Sequence, residues 1–402
     1  MSVTAAPGWL ASGVRAGTKP SGELDLALVW SSHPAVVAGA FTTSRVPSAH
    51  VQLCKPRVSS GLARGVLVSA GIANAFTGPL GLEDAYRVCD AAAKATDTPA
   101  EEMLTCATGT IGPRLPVDDL MPAIDAAAKA LSVDGGDDAS HAIMTTDTRP
   151  KTSVRTIDIG GRFITVGGTA KGAGMIAPNM DPAFAGPSDG PQGTLLVFLT
   201  TDAAADAATL RHAIATSVPK TFNAISVDGC MSTSDTVLLF ANGASGVDVQ
   251  GSDAFVGAVH DVLADLAYQV VADGEGATRV IRIIVNGAAD EADAREAARE
   301  IASSALLKSA VWGNDANLGR IVQALGQADC KLDPDRLAVS MAGIELSRGG
   351  LETGRRDEAA AKLAAGGEAL IEVDLGLGAG TFQFLTCDLT PDYVKFNADY
   401  TT

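Results

Sequence analysis

Aromatic residues are scarce in this chain of 402 residues: they make up 4% of it, while glycine and alanine are frequent. No apolar run approaches the length of a membrane-spanning helix, and the opening MSVTAAPGWLASG lacks the basic and apolar regions of a signal peptide. Clusters of lysine and arginine are absent as well, and the net charge is −17. We therefore expect a soluble, cytoplasmic protein without nucleic-acid or membrane partners.

The cysteines also lack the pairing of a metal or redox motif, because no CxxC sequence occurs. Scattered cysteines in a chain of this size are typical of reduced, mostly buried thiols in a cytosolic protein. The six residues are Cys54, Cys89, Cys106, Cys230, Cys330 and Cys387.

Common hydrolase motifs are missing too: the sequence contains no GxSxG, no HExxH and no P-loop. The five histidines show no metal-ligand spacing, so we expect no metal site and no Ser-His-Asp triad. A nucleophile that works without histidine becomes the better hypothesis. An N-terminal threonine fits, because its own α-amine has a pKa of about 8 and can accept the hydroxyl proton.

Strand-like and helix-like segments alternate along the chain, which predicts a mixed, layered α/β fold. The clearest helix is Ser252–Val271, whose apolar residues recur at helical spacing. Further helices are predicted at 117–131, 203–216, 291–307 and 357–365. Strands are predicted at 24–30, 36–41, 65–70, 194–201, 236–242, 280–286, 369–375 and 381–389.

One junction near the middle of the chain has the character of a self-cleavage point. The Pro/Gly/Asp-rich segment 181–193 ends directly before Thr194, and the apolar run LLVFL follows. Composition alone also allows the segment to be an ordinary domain linker. A cut between Gly193 and Thr194 would free the threonine amine and create an N-terminal nucleophile.

Four other segments could complete such a site. Small residues and Thr108 in CATGTIG could hold an oxyanion, although the segment could equally be a turn between a strand and a helix. The hydroxyl-rich HAIMTTDTRPK could be a capped loop. Glu275, in DGEGATR, could bind a substrate ammonium or simply belong to a helix-ending turn. The polar tail from Asn397 to Thr402 is expected to be frayed on composition alone.

Taken together, motifs in consistent order over nearly the whole chain resemble the ornithine acetyltransferase family, also called glutamate N-acetyltransferases, of arginine biosynthesis. The motifs are AGAFTTSRV (38–46), CATGTIG (106–112), AIMTTDTRPK (142–151), KGAGMIAP (171–178), TLLVFLTTDA (194–203), DGEGAT (273–278), GNDANLGRI (313–321) and DLTPDYVKFNADYTT (388–402).

The resemblance implies an autoprocessed acyltransferase with a layered α+β sandwich of the ornithine acetyltransferase and DmpA type. It implies self-cleavage into an α chain, 1–193, and a β chain, 194–402, which stay together in an α2β2 heterotetramer. The implied reaction is ping-pong transfer of acetyl from N-acetylornithine to glutamate. No cofactor is implied; acetyl-CoA is a co-substrate if the enzyme is bifunctional.

The same resemblance assigns roles to individual residues. Thr194 matches the nucleophile, and Thr108 and Gly109 match the pair that stabilises the oxyanion. The positions that match substrate-binding residues are Thr145, Lys171, Thr194, Glu275, Asn397 and Thr402.

The sequence departs from the family pattern mainly before the nucleophile. Thr194 lies 23 residues after Lys171, where relatives have about eleven, and Gly193 replaces an alanine. Such changes are compatible with a paralogue of a secondary-metabolite pathway that uses another acyl donor or acceptor. Two more alternatives stay open: an N-terminal nucleophile amidohydrolase or aminopeptidase that passes the acyl group to water, and a binding protein that is not processed.

Overall fold

The structure is a computed structural model that describes residues 2–183 and 195–399. Three residues of the predicted site, Gly193, Thr194 and Thr402, lie outside the described residues. The chain divides into two compact units. The first is built from Met1–Asn223 and Cys230–Val270, and the second from Ala224–Gly229 and Val271–Thr401.

Strands and helices alternate through both units, which confirms the predicted mixed α/β fold. In chain order the described strands are β1 (Trp9–Val14), β2 (Leu26–Ser31), β3 (Val36–Thr42), β4 (Gly65–Ile72), β5 (Met103–Thr110), β6 (Lys151–Ile159), β7 (Arg162–Lys171), β8 (Met180–Asp181), β9 (Leu196–Thr201), β10 (Thr236–Ala241), β11 (Val280–Ala288), β12 (Ala338–Met341), β13 (Ile344–Arg348), β14 (Leu351–Glu352), β15 (Ala369–Asp374) and β16 (Gly380–Cys387). The described helices are α1 (Ala49–Ser60), α2 (Gly78–Ala95), α3 (Val117–Lys129), α4 (Gly136–Ala142), α5 (Ala207–Ser217), α6 (Asp253–Ala272), α7 (Glu291–Ser303), α8 (Ala305–Trp312), α9 (Leu318–Leu325), α10 (Arg356–Ala364) and α11 (Pro391–Asp399).

The first unit contains two sheets. One has the order β1-β2-β4-β5, and its last pair, β4 and β5, is parallel because helix α2 connects them. The other has the order β6-β7-β9-β10-β3-β8. Apolar side chains of both sheets and of α1 to α3 form one hydrophobic core.

Strand β9 lies in the interior of the second sheet, between β7 and β10. All six of its residues are buried, as its continuous apolar run predicts for a strand covered on both faces. It pairs antiparallel with β7 and parallel with β10, and in this register Leu196 lies opposite both Lys171 and Thr236. The strand thus brings the residues just after Thr194 next to the end of β7 and the start of β10.

Helix α6 confirms the clearest helix prediction. Its predicted apolar face is buried, and Gly168 of β7 lets it approach closely, since a Cβ there would lie 2.9 Å from Val262 Cγ1. By length and composition α6 could also cross a membrane, a test that core helices of soluble proteins pass as well. The buried residues of the predicted face are Phe255, Val259, Val262, Leu263, Leu266 and Val270.

The second unit is one sheet of order β14-β13-β12-β15-β11-β16 with helices against it. Four alanines of α7 are fully buried in the unit's own core and allow that helix to lie close to β11 and β16: Ala294, Ala297, Ala298 and Ala302. The predicted helix over 291–307 ends earlier than expected, because the chain bends at Ser304. The Ser304 hydroxyl accepts a hydrogen bond from Leu307 N and starts α8.

Most other predictions hold, with shifted ends. The eight predicted strands are present, and the helix expected from Ala203 begins at Ala207, where the Asp206 carboxylate caps it. The tail expected to fray is helical through Asp399. Four of the six cysteines are buried, as predicted: Cys54, Cys89, Cys106 and Cys387.

Candidate active site

Thr108 and Gly109 lie at the carboxyl end of β5, so CATGTIG is the end of a strand and not a turn. Thr108 is fully buried. Gly109 has a φ of +124°, and a Cβ at this position would lie 2.3 Å from the Gly71 carbonyl carbon of β4. Both facts require glycine, which lets the backbone at 109 lie close to that of Gly71.

Lys171, the last residue of β7, lies beside Thr108. Its Nζ donates a hydrogen bond to Thr108 Oγ1 at 3.2 Å, and both side chains are buried. Because the Thr108 oxygen already accepts from an ammonium, its own proton is available to a further acceptor. Thr108 can therefore act as a hydrogen-bond donor to an oxyanion.

Asp147 lies in the loop before β6, and its carboxylate binds residues of that loop, of β6 and of the segment after Lys171. Its carboxylate accepts hydrogen bonds from Lys151 Nζ at 2.6 Å, Gly172 N at 2.7 Å and Thr145 N at 3.0 Å. Burial alone would raise the pKa of Asp147, but the charges of Lys171 and Lys151 and these hydrogen bonds lower it to about 2. Asp147 therefore carries a negative charge at neutral pH.

Two lysine side chains, Lys151 and Lys171, act electrostatically on the single carboxylate of Asp147. A second buried carboxyl, Asp235, interacts electrostatically with Lys171, but burial raises its pKa to about 7. A protonated Lys171, next to the Thr108 hydroxyl, would be suited to stabilise a negative charge that develops on a substrate or on a tetrahedral intermediate.

Asp235 holds the start of β9. Its Oδ1 accepts a hydrogen bond from Leu195 N at 2.8 Å, and its Oδ2 accepts one from Ser232 N at 3.0 Å. Leu195 is the residue that follows Thr194 in the chain. The two hydrogen bonds favour the charged form of Asp235, yet its burial outweighs them.

The structure brings together one group of the sequence-predicted residues in the first unit: Thr108, Gly109 and Lys171, with Thr145 joined through Asp147. In the second unit it brings together Glu275 and Asn397, where Asn397 Nδ2 donates to Glu275 Oε2 at 3.0 Å. Gly276 must be glycine there, because a Cβ would lie 2.4 Å from Tyr393 N.

Sequence reasoning missed Asp147, Lys151 and Asp235 as members of this site. Asp147 and Lys151 stand four residues apart in HAIMTTDTRPK, where the family resemblance assigns a role only to Thr145. The signal that could have found them is a close acid–base pair directly before a strand. Within residues 2–183 and 195–399, no group of three or more His, Cys, Asp or Glu side chains is placed to hold a metal ion.

Comparisons with known proteins match the whole chain. A sequence model described as the ArgJ family matches residues 10–402. The arginine biosynthesis bifunctional protein ArgJ of Symbiobacterium thermophilum is 42% identical over 407 residues, covering 100% of this chain and 98% of that protein. The ArgJ of Streptomyces coelicolor is 42% identical over 403 residues, covering 100% of both.

Among solved structures, the ornithine acetyltransferase of Mycobacterium tuberculosis complexed with ornithine is similar to this chain. It is 41% identical, with a TM-score of 0.41, over 45% of this chain and 96% of that one.

Proposed function

Because this chain belongs to the ArgJ family and is an acetyltransferase of arginine biosynthesis, we propose that it transfers acetyl from N-acetylornithine to glutamate through Thr194. The observation that supports this most is that β5, β7 and the segment before β10 come together next to the residues that follow Thr194. The end of β5 with Thr108, the end of β7 with Lys171, and Asp235 before β10 meet around Leu195 and Leu196, the two residues that follow Thr194.

The proposed first step is self-cleavage. Thr194 Oγ attacks the Gly193 carbonyl carbon, the Gly193–Thr194 amide bond breaks, and an ester forms while the threonine amine becomes free. Water then hydrolyses the ester, which leaves a Gly193 carboxylate and the Thr194 hydroxyl. The products are an α chain of residues 1–193 and a β chain of residues 194–402.

Acetyl transfer uses the same atoms. The free Thr194 amine accepts the proton of the Thr194 hydroxyl, whose oxygen attacks the acetyl carbon of N-acetylornithine. The amide bond breaks, ornithine leaves with the proton on its amine, and acetyl-Thr194 remains. The glutamate amine then attacks this ester, giving N-acetylglutamate and restoring the hydroxyl.

Thr108 and Gly109 stabilise the oxyanion in each of these steps. The Thr108 hydroxyl and the Gly109 N–H donate hydrogen bonds, and Lys171 supplies positive charge. We propose Thr145, Lys171, Glu275, Asn397 and Thr402 as substrate-binding residues on the family resemblance. The proposed cytoplasmic location and α2β2 assembly rest on the same resemblance.

Intact-mass analysis of the purified protein, combined with product analysis, tests this function. We expect fragments of 193 and 209 residues, and N-acetylglutamate that forms from N-acetylornithine only when glutamate is present. Free acetate formed at the same rate without glutamate would instead identify an amidohydrolase. A homogeneous uncut chain in an active preparation would contradict the scheme. Replacing N-acetylornithine by acetyl-CoA shows whether the enzyme is bifunctional.

Replacing Thr108 by valine removes one oxyanion donor and keeps the shape of the side chain. We expect kcat to fall about 10²- to 10³-fold with a small change in KM, because the lost hydrogen bond acts on the transition state. Thr105→Val on the same strand is the matched control, since residues 105 and 108 face opposite sides of β5. A kcat for Thr108→Val within about threefold of the control would count against the assigned role.

A further inference from the structure

One face of helix α1 covers the outer edge of β5. β5 is the last strand in its sheet's order, so backbone groups on its outer edge need partners other than a described strand. Side chains at positions i, i+4 and i+7 of α1 bind alternate residues of β5. The contacts are Ala107 N to His50 Nδ1 at 3.3 Å, Cys54 Sγ to Thr105 O at 3.1 Å, and Arg57 Nη1 to Met103 O at 2.7 Å.

His50 is the contact of this set nearest to the candidate active site, and its protonation state follows from its partners. Because the Ala107 N–H donates to Nδ1, that nitrogen carries no hydrogen and Nε2 carries one. Nε2 lies 3.3 Å from both Ser234 O and Thr236 Oγ1, and the Ser48 hydroxyl lies 2.9 Å from Nδ1. Burial lowers the pKa of His50 to about 4, although the hydrogen bond to Ser234 opposes it, so the ring is neutral at physiological pH.

Two of the partners of His50, Ala107 and Ser234, each stand next to a residue of the site. Ala107 directly precedes Thr108, whose hydroxyl accepts from Lys171. Ser234 directly precedes Asp235, whose carboxyl holds Leu195 N. One buried imidazole therefore joins the strand end that stabilises the oxyanion to the segment that holds the chain after the nucleophile.

We propose that His50 is a positioning residue that holds the peptide N–H of Ala107, and with it Thr108 and Gly109, in place opposite the start of β9. The proposal rests on the proposed function for its kinetic consequence. A displacement of oxyanion donors by even a fraction of an ångström weakens stabilisation of the transition state while leaving substrate binding almost unchanged.

Two substitutions separate the contacts of His50. In His50→Asn the side-chain amide can still accept from Ala107 N at the position of Nδ1. In His50→Gln the amide nitrogen can replace Nε2 and donate to Ser234 O, while the acceptor for Ala107 is lost. We expect kcat of His50→Gln to fall about 10- to 100-fold with KM for N-acetylornithine within about twofold, and kcat of His50→Asn to stay within about threefold of wild type.

Hydrogen exchange of a peptide that covers 103–110 gives a readout that does not depend on the reaction. We expect faster exchange at the end of β5 in His50→Gln than in wild type or His50→Asn. Cys54→Ala is the control, because it removes a contact of the same helix face farther from Thr108 and should leave kcat unchanged. Failure of the wild type to transfer acetyl would overturn the proposed function, whereas unchanged exchange in His50→Gln would overturn the positioning role. Equal losses of kcat in both variants, in proportion to their losses of Tm, would also overturn it.

Discussion

Replacing Thr194 by alanine is expected to leave a single polypeptide of 402 residues that transfers no acetyl group. The substitution removes the hydroxyl that attacks the Gly193 carbonyl, so the amide bond before position 194 stays intact. The α-amine then remains part of that amide and cannot act as a base. Because nucleophile and base are lost together, we expect acetyl transfer to fall by at least about 10⁴-fold.

Thr194→Ser is the matched control for this prediction, because serine keeps both a hydroxyl and, after cleavage, an α-amine. We expect it to be cut between the same two positions and to retain part of the activity. Intact mass measures the cut, and conversion of N-acetylornithine with glutamate measures the transfer. If Thr194→Ala were still cut into pieces of 193 and 209 residues, the nucleophile would have to be another group.

Replacing Asp147 by alanine is expected to cause a large decrease in the free energy of unfolding. The side chains of Asp147 and Lys151 are both fully buried, and their charged atoms lie 2.6 Å apart. Removing the carboxylate takes away the ionic partner that Lys151 has in Asp147 and the negative charge near Lys171, and leaves Gly172 N without its acceptor. We expect the free energy of unfolding to fall by about 3–5 kcal/mol, measured by urea denaturation.

Asp118→Ala provides the contrast, because its ion pair with Arg87 is at the surface, with side-chain exposures of 90% and 45%. Such pairs contribute little, so this variant should unfold almost as wild type does. A loss for Asp147→Ala no larger than for Asp118→Ala would contradict the assigned role of the buried pair.

The Asp147 carboxylate is also expected to cause part of the decrease in the free energy of unfolding at low pH. The pKa of Asp147 in the folded protein is lowered to about 2, below the ordinary aspartate value of 3.8. A group whose pKa is lowered by folding contributes stability above its unfolded pKa, and this contribution disappears as the pH falls. We therefore expect the free energy of unfolding to decrease between about pH 4 and pH 2, and Asp147→Asn to lose part of that dependence.

Local patterns in the sequence predicted those parts of the fold whose cause is local. The apolar run after Thr194 predicted β9, and the helical spacing from Phe255 to Val270 predicted α6. Thr108 and Lys171 were identified because each stands in a motif, and the structure joins them by a hydrogen bond. Their assigned roles in catalysis stay predictions.

The remainder of the site depends on contacts between distant parts of the chain. Leu195 and Asp235 are 40 residues apart, and His50 and Ala107 are 57 apart. Periodicity within a segment carries no information about which strand edge it will meet. Burial also determines the protonation of Asp235, because it raises the pKa of this carboxyl to about 7. That burial arises only after the sheets have packed, so the sequence around Asp235 does not reveal it.

The strand order of the sheet that contains β9 has a consequence for genetic complementation. β9 and β10 follow the proposed cut, yet they lie between β7 on one side and β3 on the other, which precede it. Each product alone would therefore lack strands of this sheet that only the other product supplies. We therefore expect the cut to be made after the whole sheet has formed. Two mutant alleles, one damaged upstream of position 194 and one downstream, are then expected not to restore a working enzyme by exchanging halves between mature molecules.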